Sequence, residues 1–190
     1  IIVLLPILAQ AFGFSYAQIG LLKGLKSLSQ AALEMGSGWM SERIGEFRLI
    51  VVGLTLSGVG YLLLSMAPTA FLVAACLLVV GAGTALHHAP SSALVATSYS
   101  SETRSSALGL YNASGDIGKL VFTACFSLAV GAGLAWQQIS LFYGLIVILV
   151  AFVIAVTARG STPLLRKETQ ENPDPVDRPI ATGWGILHWR

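Results

Sequence analysis

Long apolar stretches, separated by short polar breaks, make up the first 158 residues of the chain. All but the first reach the length of about 20 residues that a helix needs to cross a bilayer, and they lack the alternation of barrel strands. Because backbone groups in lipid must bond within their own segment, the stretches are predicted to be helices. We predict an all-α, polytopic membrane protein with helices at about residues 1–13, 17–40, 49–67, 70–98, 106–134 and 138–158.

The two ends of the chain depart from this pattern. Residues 1–13 are apolar but too short to cross a bilayer, and they lack the initiating Met and the basic flank of a signal peptide. We interpret them as the second half of a truncated first helix. Residues 159–190 are predicted to be a polar, Pro-rich cytoplasmic linker that turns apolar again from Gly183 and leads to a missing C-terminal half. We therefore expect residues 1–158 to be an N-terminal six-helix bundle.

Composition supports a membrane protein and disfavours other classes. The chain is 55% hydrophobic and 11% charged, whereas a typical soluble domain is about 25% charged. Residues 1–158 hold only eleven of the twenty charged residues, and the formal net charge is +2. These values argue against a soluble enzyme, a nucleic-acid binder and a disordered regulator.

Outside the apolar stretches, positively charged residues lie only in alternate loops and in the tail. Arg43 and Arg48 lie between helices 2 and 3, Arg104 lies between helices 4 and 5, and Arg159 follows helix 6. The opposite loops contain no Lys or Arg. Because Lys and Arg mark cytoplasmic loops, both the start of the chain and its tail are predicted to be cytoplasmic.

Five charged residues lie within the apolar stretches, namely Lys23, Lys26 and Glu34 on helix 2 and Asp116 and Lys119 on helix 5. Each costs about 2.5–3.5 kcal/mol at the centre of a membrane helix, so such residues are by default functional. At 100° per residue, the charged residues of each helix share one face with other polar groups. We predict a substrate or ion pathway lined by Lys23, Lys26, Gln30, Glu34, His87, His88, Asn112, Asp116 and Lys119. Lys26 and Lys119 would give it a positive potential.

Each of these residues also has a structural interpretation. Asp116 and Lys119 are spaced as an i, i+3 ion pair that needs no solute. Lys23 is close enough to the start of its helix to extend to the headgroups, and Glu34 is placed to hold a loop arginine. One of the adjacent residues His87 and His88 would bind a proton or hydrogen-bond a neighbouring helix.

The chain lacks the usual signatures of metal and nucleotide sites. No His-Glu-x-x-His or Cys-x-x-Cys pattern is present. The segment from Ala113 to Leu120 resembles a phosphate-binding loop but lacks the first Gly and the final Ser or Thr, and it lies within a predicted membrane helix. We therefore predict no metal, no cofactor and no enzymatic activity.

The distribution of charged and purely apolar helices along the chain fits two inverted repeats of three helices.

The loop after helix 2 reads Gly38-Trp-Met-Ser-Glu-Arg-Ile-Gly-Glu-Phe-Arg48. It resembles the signature of the major facilitator superfamily, Gly-x-x-x-Asp-Arg-x-Gly-Arg-[Arg/Lys]. Gly38, Arg43 and Gly45 match the signature, and Glu42 stands at the position of its Asp. Glu46 and Phe47 depart from the basic pair, although Arg48 follows. The resemblance implies a conformational latch formed by Gly38, Glu42, Arg43, Gly45 and Arg48. The structural alternative is a positive-inside anchor.

A second resemblance runs from helix 4 into helix 5. His88, Pro90, Arg104 and the Gly-rich segment 109–118 are similar to bacterial members near the fosmidomycin-resistance group, although an Ala separates His88 from Pro90. Family membership implies twelve helices, a central cavity lined by helices 1, 2, 4 and 5, and alternating access driven by an ion gradient, usually of protons. It also implies the bacterial inner membrane.

The leading hypothesis is therefore a proton-coupled secondary transporter of a small polar or anionic solute or drug. Its partners would be the solute, the coupling ion, the lipid bilayer and the missing half, with no nucleic acid. Two rivals stay open: a channel-type pore subunit, for which no filter or re-entrant segment is visible, and a membrane-embedded enzyme, for which no nucleophile with an adjacent base is evident.

Overall fold

A computed structural model of the protein describes the backbone of residues 4–171 and the side chains of residues 4–157. It is built from α-helices, with no strand among the described residues. The helices are α1 (Leu4–Phe12), α2 (Tyr16–Ile44), α3 (Glu46–Ser65), α4 (Ala70–Ser98), α5 (Arg104–Gly131) and α6 (Trp136–Glu171). The all-α prediction is confirmed.

Local signals explain where several helices begin. Ser15 and Gln18 form a capping box at the start of α2: the Ser15 N–H donates to Gln18 Oε1 over 2.8 Å, and the Gln18 N–H donates to Ser15 Oγ over 3.3 Å. Such a box satisfies two of the donors that a helix start leaves open. Thr69 caps α4 in a similar way by accepting from the Leu72 N–H.

Within residues 4–157, four helical segments are long and apolar enough to cross a membrane: α3, α4, α5 and the Trp136–Thr157 part of α6. The 29-residue α2 has the length but not the hydropathy, because its apolar face is interrupted by the embedded charges. The described part of α1 has nine residues. Length and composition thus support an integral membrane protein, in which α2 carries an unusually polar surface.

The predicted helix bounds differ most from the structure at the α2–α3 connection and at the end of α6. Residues 41–44 belong to α2 and residues 46–48 to α3, so the expected eight-residue loop is a single residue, Gly45. Glu42 and Arg43 favour helix as well as solvent, and polarity alone therefore misplaced the break. The helix α6 also continues beyond residue 158 to Glu171. The rest of the predicted linker, including the apolar end from Gly183, lies outside the described residues.

Contacts divide the chain into two units, Ile1–Ala155 and Val156–Arg190. The first unit contains the helical bundle. The second unit is helical from Val156 to Glu171 within the described residues. From Leu164 to Glu171, seven of the eight residues are Leu, Arg, Lys, Glu or Gln, all of which favour helix.

Glycines bring α4 into close contact with both α3 and α2. A Cβ added at Gly53 of α3 would lie 2.6 Å from the His87 nitrogen and 2.8 Å from the Gly83 oxygen, both of the α4 backbone. A Cβ added at Gly81 of α4 would lie 2.5 Å from the Lys26 carbonyl oxygen of α2. Small residues of this kind permit backbone approach where hydrophobic burial cannot drive association. The α4 backbone is therefore packed closely against the backbones of both α3 and α2.

An apolar core lies at the end of the bundle opposite Gly45. It joins α1 to the ends of α3 and α5 and to the starts of α4 and α6. Its members include Leu4, Leu8, Leu64, Val73, Leu77, Phe126 and Trp136, all of them less than 8% exposed. Rings extend this core, with Tyr61 edge-on to Tyr143 at a centroid distance of 4.6 Å. The core fixes this end of the bundle, while α5 stays largely open.

The helix α5 is the least enclosed of the four candidate spans. Phe126 is its one buried residue, although the helix has 28 residues. Much of its surface is apolar, with Leu110, Ile117, Leu120 and Leu128 each more than 60% exposed. The same helix carries the polar residues Asn112, Asp116 and Lys119 on an exposed face. Its surface therefore presents both apolar and charged positions outside the packed part of the bundle.

Candidate functional site

Three polar residues of α2 form a continuous hydrogen-bonded chain, which we call the α2 chain. The Lys26 ammonium donates to Gln30 Oε1 over 2.6 Å, and the Gln30 amide nitrogen donates to Glu34 Oε1 over 3.0 Å. The residues are four apart, so successive side chains lie one turn above one another. All three are partly buried. The charge of Lys26 is thus connected through an amide to a carboxylate two turns away.

The adjacent histidines His87 and His88 lie in different surroundings. His87 is partly buried, its Nδ1 lies 2.8 Å from the Gly83 carbonyl oxygen, and it is within electrostatic range of Lys26. His88 is exposed and faces α5 instead. Neighbouring helix residues point about 100° apart, so the two rings do not act at one point. The bond holds the His87 ring along its own helix, on the part of α4 whose backbone at His87 and Gly83 lies against Gly53 of α3.

A groove of about 410 Å³ between α4 and α5 brings four of the predicted pathway residues together. His88 lines it from α4, and Asn112, Asp116 and Lys119 line it from α5. We call it the α4–α5 groove. It offers a titratable ring, an amide, a carboxylate and an ammonium within one cleft. Such a mixture of donors and acceptors suits a polar solute better than an apolar one.

Asp116 and Lys119 form the ion pair that their spacing predicts. The Lys119 ammonium lies 2.8 Å from Asp116 Oδ1, and the side chains are 79% and 72% exposed respectively. Pairs this exposed contribute little to stability because water already solvates both charges. The pair therefore leaves both groups open to other ligands, and its existence does not account for two charges on a membrane helix.

The remaining predicted pathway residue, Lys23, is exposed on α2, and the α4–α5 groove does not include it. The α2 chain is likewise separate from the groove lining. The structure thus distributes the predicted residues over two polar regions, with His87 beside one and His88 in the other. The expected positive potential is reduced in both, since Lys26 is connected to Glu34 and Lys119 is bonded to Asp116.

The idea that Glu34 holds a loop arginine is wrong in this conformation. Glu34 accepts from Gln30. Arg43 instead places its guanidinium carbon 4.0 Å from the centroid of the Trp39 ring, one turn earlier on α2. A guanidinium over an indole face is a favourable cation–π arrangement. The signature arginine is therefore held by its own helix.

The signature residues surround the one-residue connection between α2 and α3. Gly45 has φ 93° and ψ 139°, a combination that residues with a Cβ rarely adopt, and its N–H donates to the Ser41 carbonyl oxygen over 2.9 Å. Gly38, Glu42, Arg43 and Arg48 are all exposed near this end of the bundle. Glycine at position 45 thus has a conformational reason, and the charged positions stay accessible.

We expect Gly45→Ala to destabilise the protein by about 1–3 kcal/mol, because the added Cβ strains the backbone at this positive φ. The measurement is thermal unfolding of the purified protein in detergent. Gly38→Ala is the control, since Gly38 lies within α2 with nothing within 4 Å of an added Cβ. Equal melting temperatures for the two variants would show that the turn does not require glycine.

Sequence reasoning missed Tyr111 and Ser114, which line the α4–α5 groove beside the predicted residues. It also missed Ser29, whose hydroxyl donates to the Leu78 carbonyl oxygen across the α2–α4 contact over 2.9 Å. The sequence did carry a signal for Tyr111 and Ser114. They flank the face that carries Asn112 and Asp116, and a groove admits residues next to the central row. Among the described residues, no group of three His, Cys, Asp or Glu is arranged to hold a metal ion.

Bilayer-length helices with charges along α2 and α5 define the chain as an integral, polytopic membrane protein. The sequence profile of the Major Facilitator Superfamily matches residues 1–188. The chain therefore belongs to that family, as the signature around Gly45 indicated.

One similar protein is the uncharacterized MFS-type transporter YfnC of Bacillus subtilis (strain 168), which is 26% identical over 135 residues. The aligned segment covers 69% of this chain and 33% of YfnC. The chain thus spans a minor part of the length of this curated relative. The finer likeness to fosmidomycin-resistance proteins stays a prediction.

Proposed function

We propose that the protein carries a small polar or anionic solute or drug across a membrane by alternating access, as a proton-coupled secondary transporter. The observation that carries this proposal is the α4–α5 groove, where His88, Asn112, Asp116 and Lys119 meet in one open cleft. Charged groups this costly in a membrane helix are retained for a task. Family membership supports transport as that task.

The proposal includes a second six-helix half that closes the open side of α2 and α5. Supporting observations are the exposed polar face of α5 and the glycines Gly20, Gly24, Gly109, Gly115 and Gly118, none of which has a neighbour within 4 Å of an added Cβ. Small residues on a membrane helix commonly accept a close partner helix. The groove would then become part of an enclosed central cavity.

Individual roles follow from the chemistry of the groove. Lys119 attracts an anionic group of the solute, and Asn112 supplies both a donor and an acceptor. Asp116 or His88 takes the coupling proton, since a carboxylate and an imidazole can each bind one and both side chains are exposed in the groove. When the coupling proton neutralises Asp116, Lys119 is released from its ion pair and becomes free for an anion.

The arginine pattern supports a cytoplasmic location for the Gly45 end, in a bacterial inner membrane. Glu42, Arg43 and Arg48 are exposed there and would pair with the second half when that side of the cavity closes. In that conformation Arg43 would leave the Trp39 ring, on which it lies in the present structure. In this proposal the latch closes when Arg43 exchanges the Trp39 ring for a partner in the second half.

Solute flux into liposomes that contain the full-length protein tests the proposal. We expect at least one polar or anionic solute of a broad panel to move with saturable kinetics, and to accumulate only under an imposed pH gradient. Liposomes without protein are the control. Flux that rises linearly with solute concentration and ignores the proton gradient would instead indicate a channel.

A further inference from the structure

A second polar pocket lies at the Gly45 end of the bundle, away from the α4–α5 groove. It has a volume of about 470 Å³ and is lined by Glu34 and Glu42 of α2, Glu46 of α3, and Ala89, Pro90 and Ala93 of α4. Glu34 is also the last member of the α2 chain. The pocket is therefore connected, through two hydrogen bonds, to the Lys26 ammonium.

The direction of the α2 chain is fixed by the chemistry of its ends. An ammonium only donates hydrogen bonds and a carboxylate only accepts them. Gln30 must therefore turn its oxygen to Lys26 and its nitrogen to Glu34, as the structure has it. The arrangement depends on the charge of Glu34, because an ionised carboxylate accepts more strongly than a neutral acid.

Charged groups face Glu34 from its own helix and from α3. Its own helix contributes Glu42 and, through Gln30, Lys26, while α3 contributes Glu46. The α4 side of the pocket contributes only Ala89, Pro90 and Ala93, which do not titrate. Three carboxyl groups thus share one open pocket, and Glu34 is the one bonded inward to Gln30.

We propose that Glu34 exchanges a proton with water that enters this pocket, and that Gln30 transmits the charge state of Glu34 to the Lys26 ammonium. The proton moves from water to a carboxylate oxygen of Glu34, and no other bond is made or broken. The neutral acid accepts more weakly from the Gln30 nitrogen, and Gln30 then holds its oxygen toward Lys26 less firmly. This inference deepens the proposed function and rests on it for its purpose, since proton coupling needs a group that takes up protons.

Infrared difference spectroscopy across a pH series, on the full-length protein in liposomes, tests the proton exchange. We expect a protonated-carboxyl band that Glu34→Gln removes. In Gln30→Met that band should develop at a pH about one unit away from wild type, because a hydrogen bond to the charged form changes where a carboxyl titrates. Gln137→Met is the control, as the same exchange at an exposed position near the start of α6.

Two results would overturn the proton exchange as proposed. One is a pH-dependent spectrum that stays the same in Glu34→Gln. The other is a Glu34 band that keeps its wild-type pH dependence in Gln30→Met, or in Gln30→Ala should the first variant not fold. The spectra report Glu34 directly and require no solute flux, so this failure is distinguishable from a failure of transport.

A double-mutant cycle tests the transmission to Lys26. We expect Lys26→Met to shift the pH at which the Glu34 band develops. In the Gln30→Met background the same substitution should shift that pH by about half as much, since the residues act through one chain. Part of the effect of Lys26 acts through space and remains without Gln30. Shifts that simply add would show that Gln30 transmits nothing.

Discussion

Replacing Gly53 by alanine is expected to destabilise the bundle by about 1–3 kcal/mol, which corresponds to a melting temperature lower by about 5 °C. The reason is the backbone contact between α3 and α4. The new Cβ would lie 2.6 Å from the His87 nitrogen, 2.8 Å from the Gly83 oxygen and 2.8 Å from the Leu86 carbonyl carbon. These are backbone atoms of a helix and have no rotamer to change, so the two helices must separate.

The measurement is thermal unfolding in detergent, followed by size exclusion to detect aggregation. Gly36→Ala is the matched control, because Gly36 lies in α2 with nothing within 4 Å of an added Cβ. Alanine favours helix over glycine by up to about 1 kcal/mol, so this variant should be as stable as wild type or more so. A Gly53→Ala protein that melts with the control would contradict the close α3–α4 contact.

Asp116→Asn is expected to reduce gradient-driven transport to background while the protein stays folded. Asparagine keeps the size and most of the hydrogen bonds of Asp116, but its amide cannot take up the coupling proton. Because the Asp116–Lys119 pair is 72% and 79% exposed, its loss should leave the melting temperature within about 2 °C of wild type. Loss of transport at unchanged stability would assign Asp116 to the pathway rather than to the structure.

The test compares initial uptake rates under an imposed pH gradient. Glu102→Gln is the control, since Glu102 is exposed just before α5 and loses the same charge outside the α4–α5 groove. We expect it to transport as wild type does. Normal gradient-driven uptake by Asp116→Asn would remove Asp116 from the proposed mechanism.

Much of the fold was predictable because hydropathy and caps coincide. The bounds of α4, residues 70–98, agree with the structure, since Thr69 caps its start and Tyr99 to Ser105 form a polar break. The connection at Gly45 was not predictable from polarity, because charged residues are compatible with both helix and loop. Only the backbone angle of Gly45 shows that one residue is enough.

The candidate site was predictable within helices but not between them. Helical spacing correctly grouped Lys26 with Gln30 and Glu34, and Asn112 with Asp116 and Lys119. It gave no information on which helix each face meets, and it treated His87 and His88 as one pair. Their separation depends on how α4 is rotated in the bundle, which the glycines Gly53, Gly81 and Gly83 determine through contacts distant in sequence.

The single-residue connection at Gly45 also has a mechanical consequence. A longer loop could change its conformation when α2 rotates and leave α3 in place. A connection of one residue instead transfers that rotation to the first turn of α3. The α3 backbone in turn touches α4 at Gly53 and Gly83. A tilt that begins beside Glu34 would therefore pass from α2 to α3 at Gly45 and from α3 to α4 at the contact between Gly53 and Gly83.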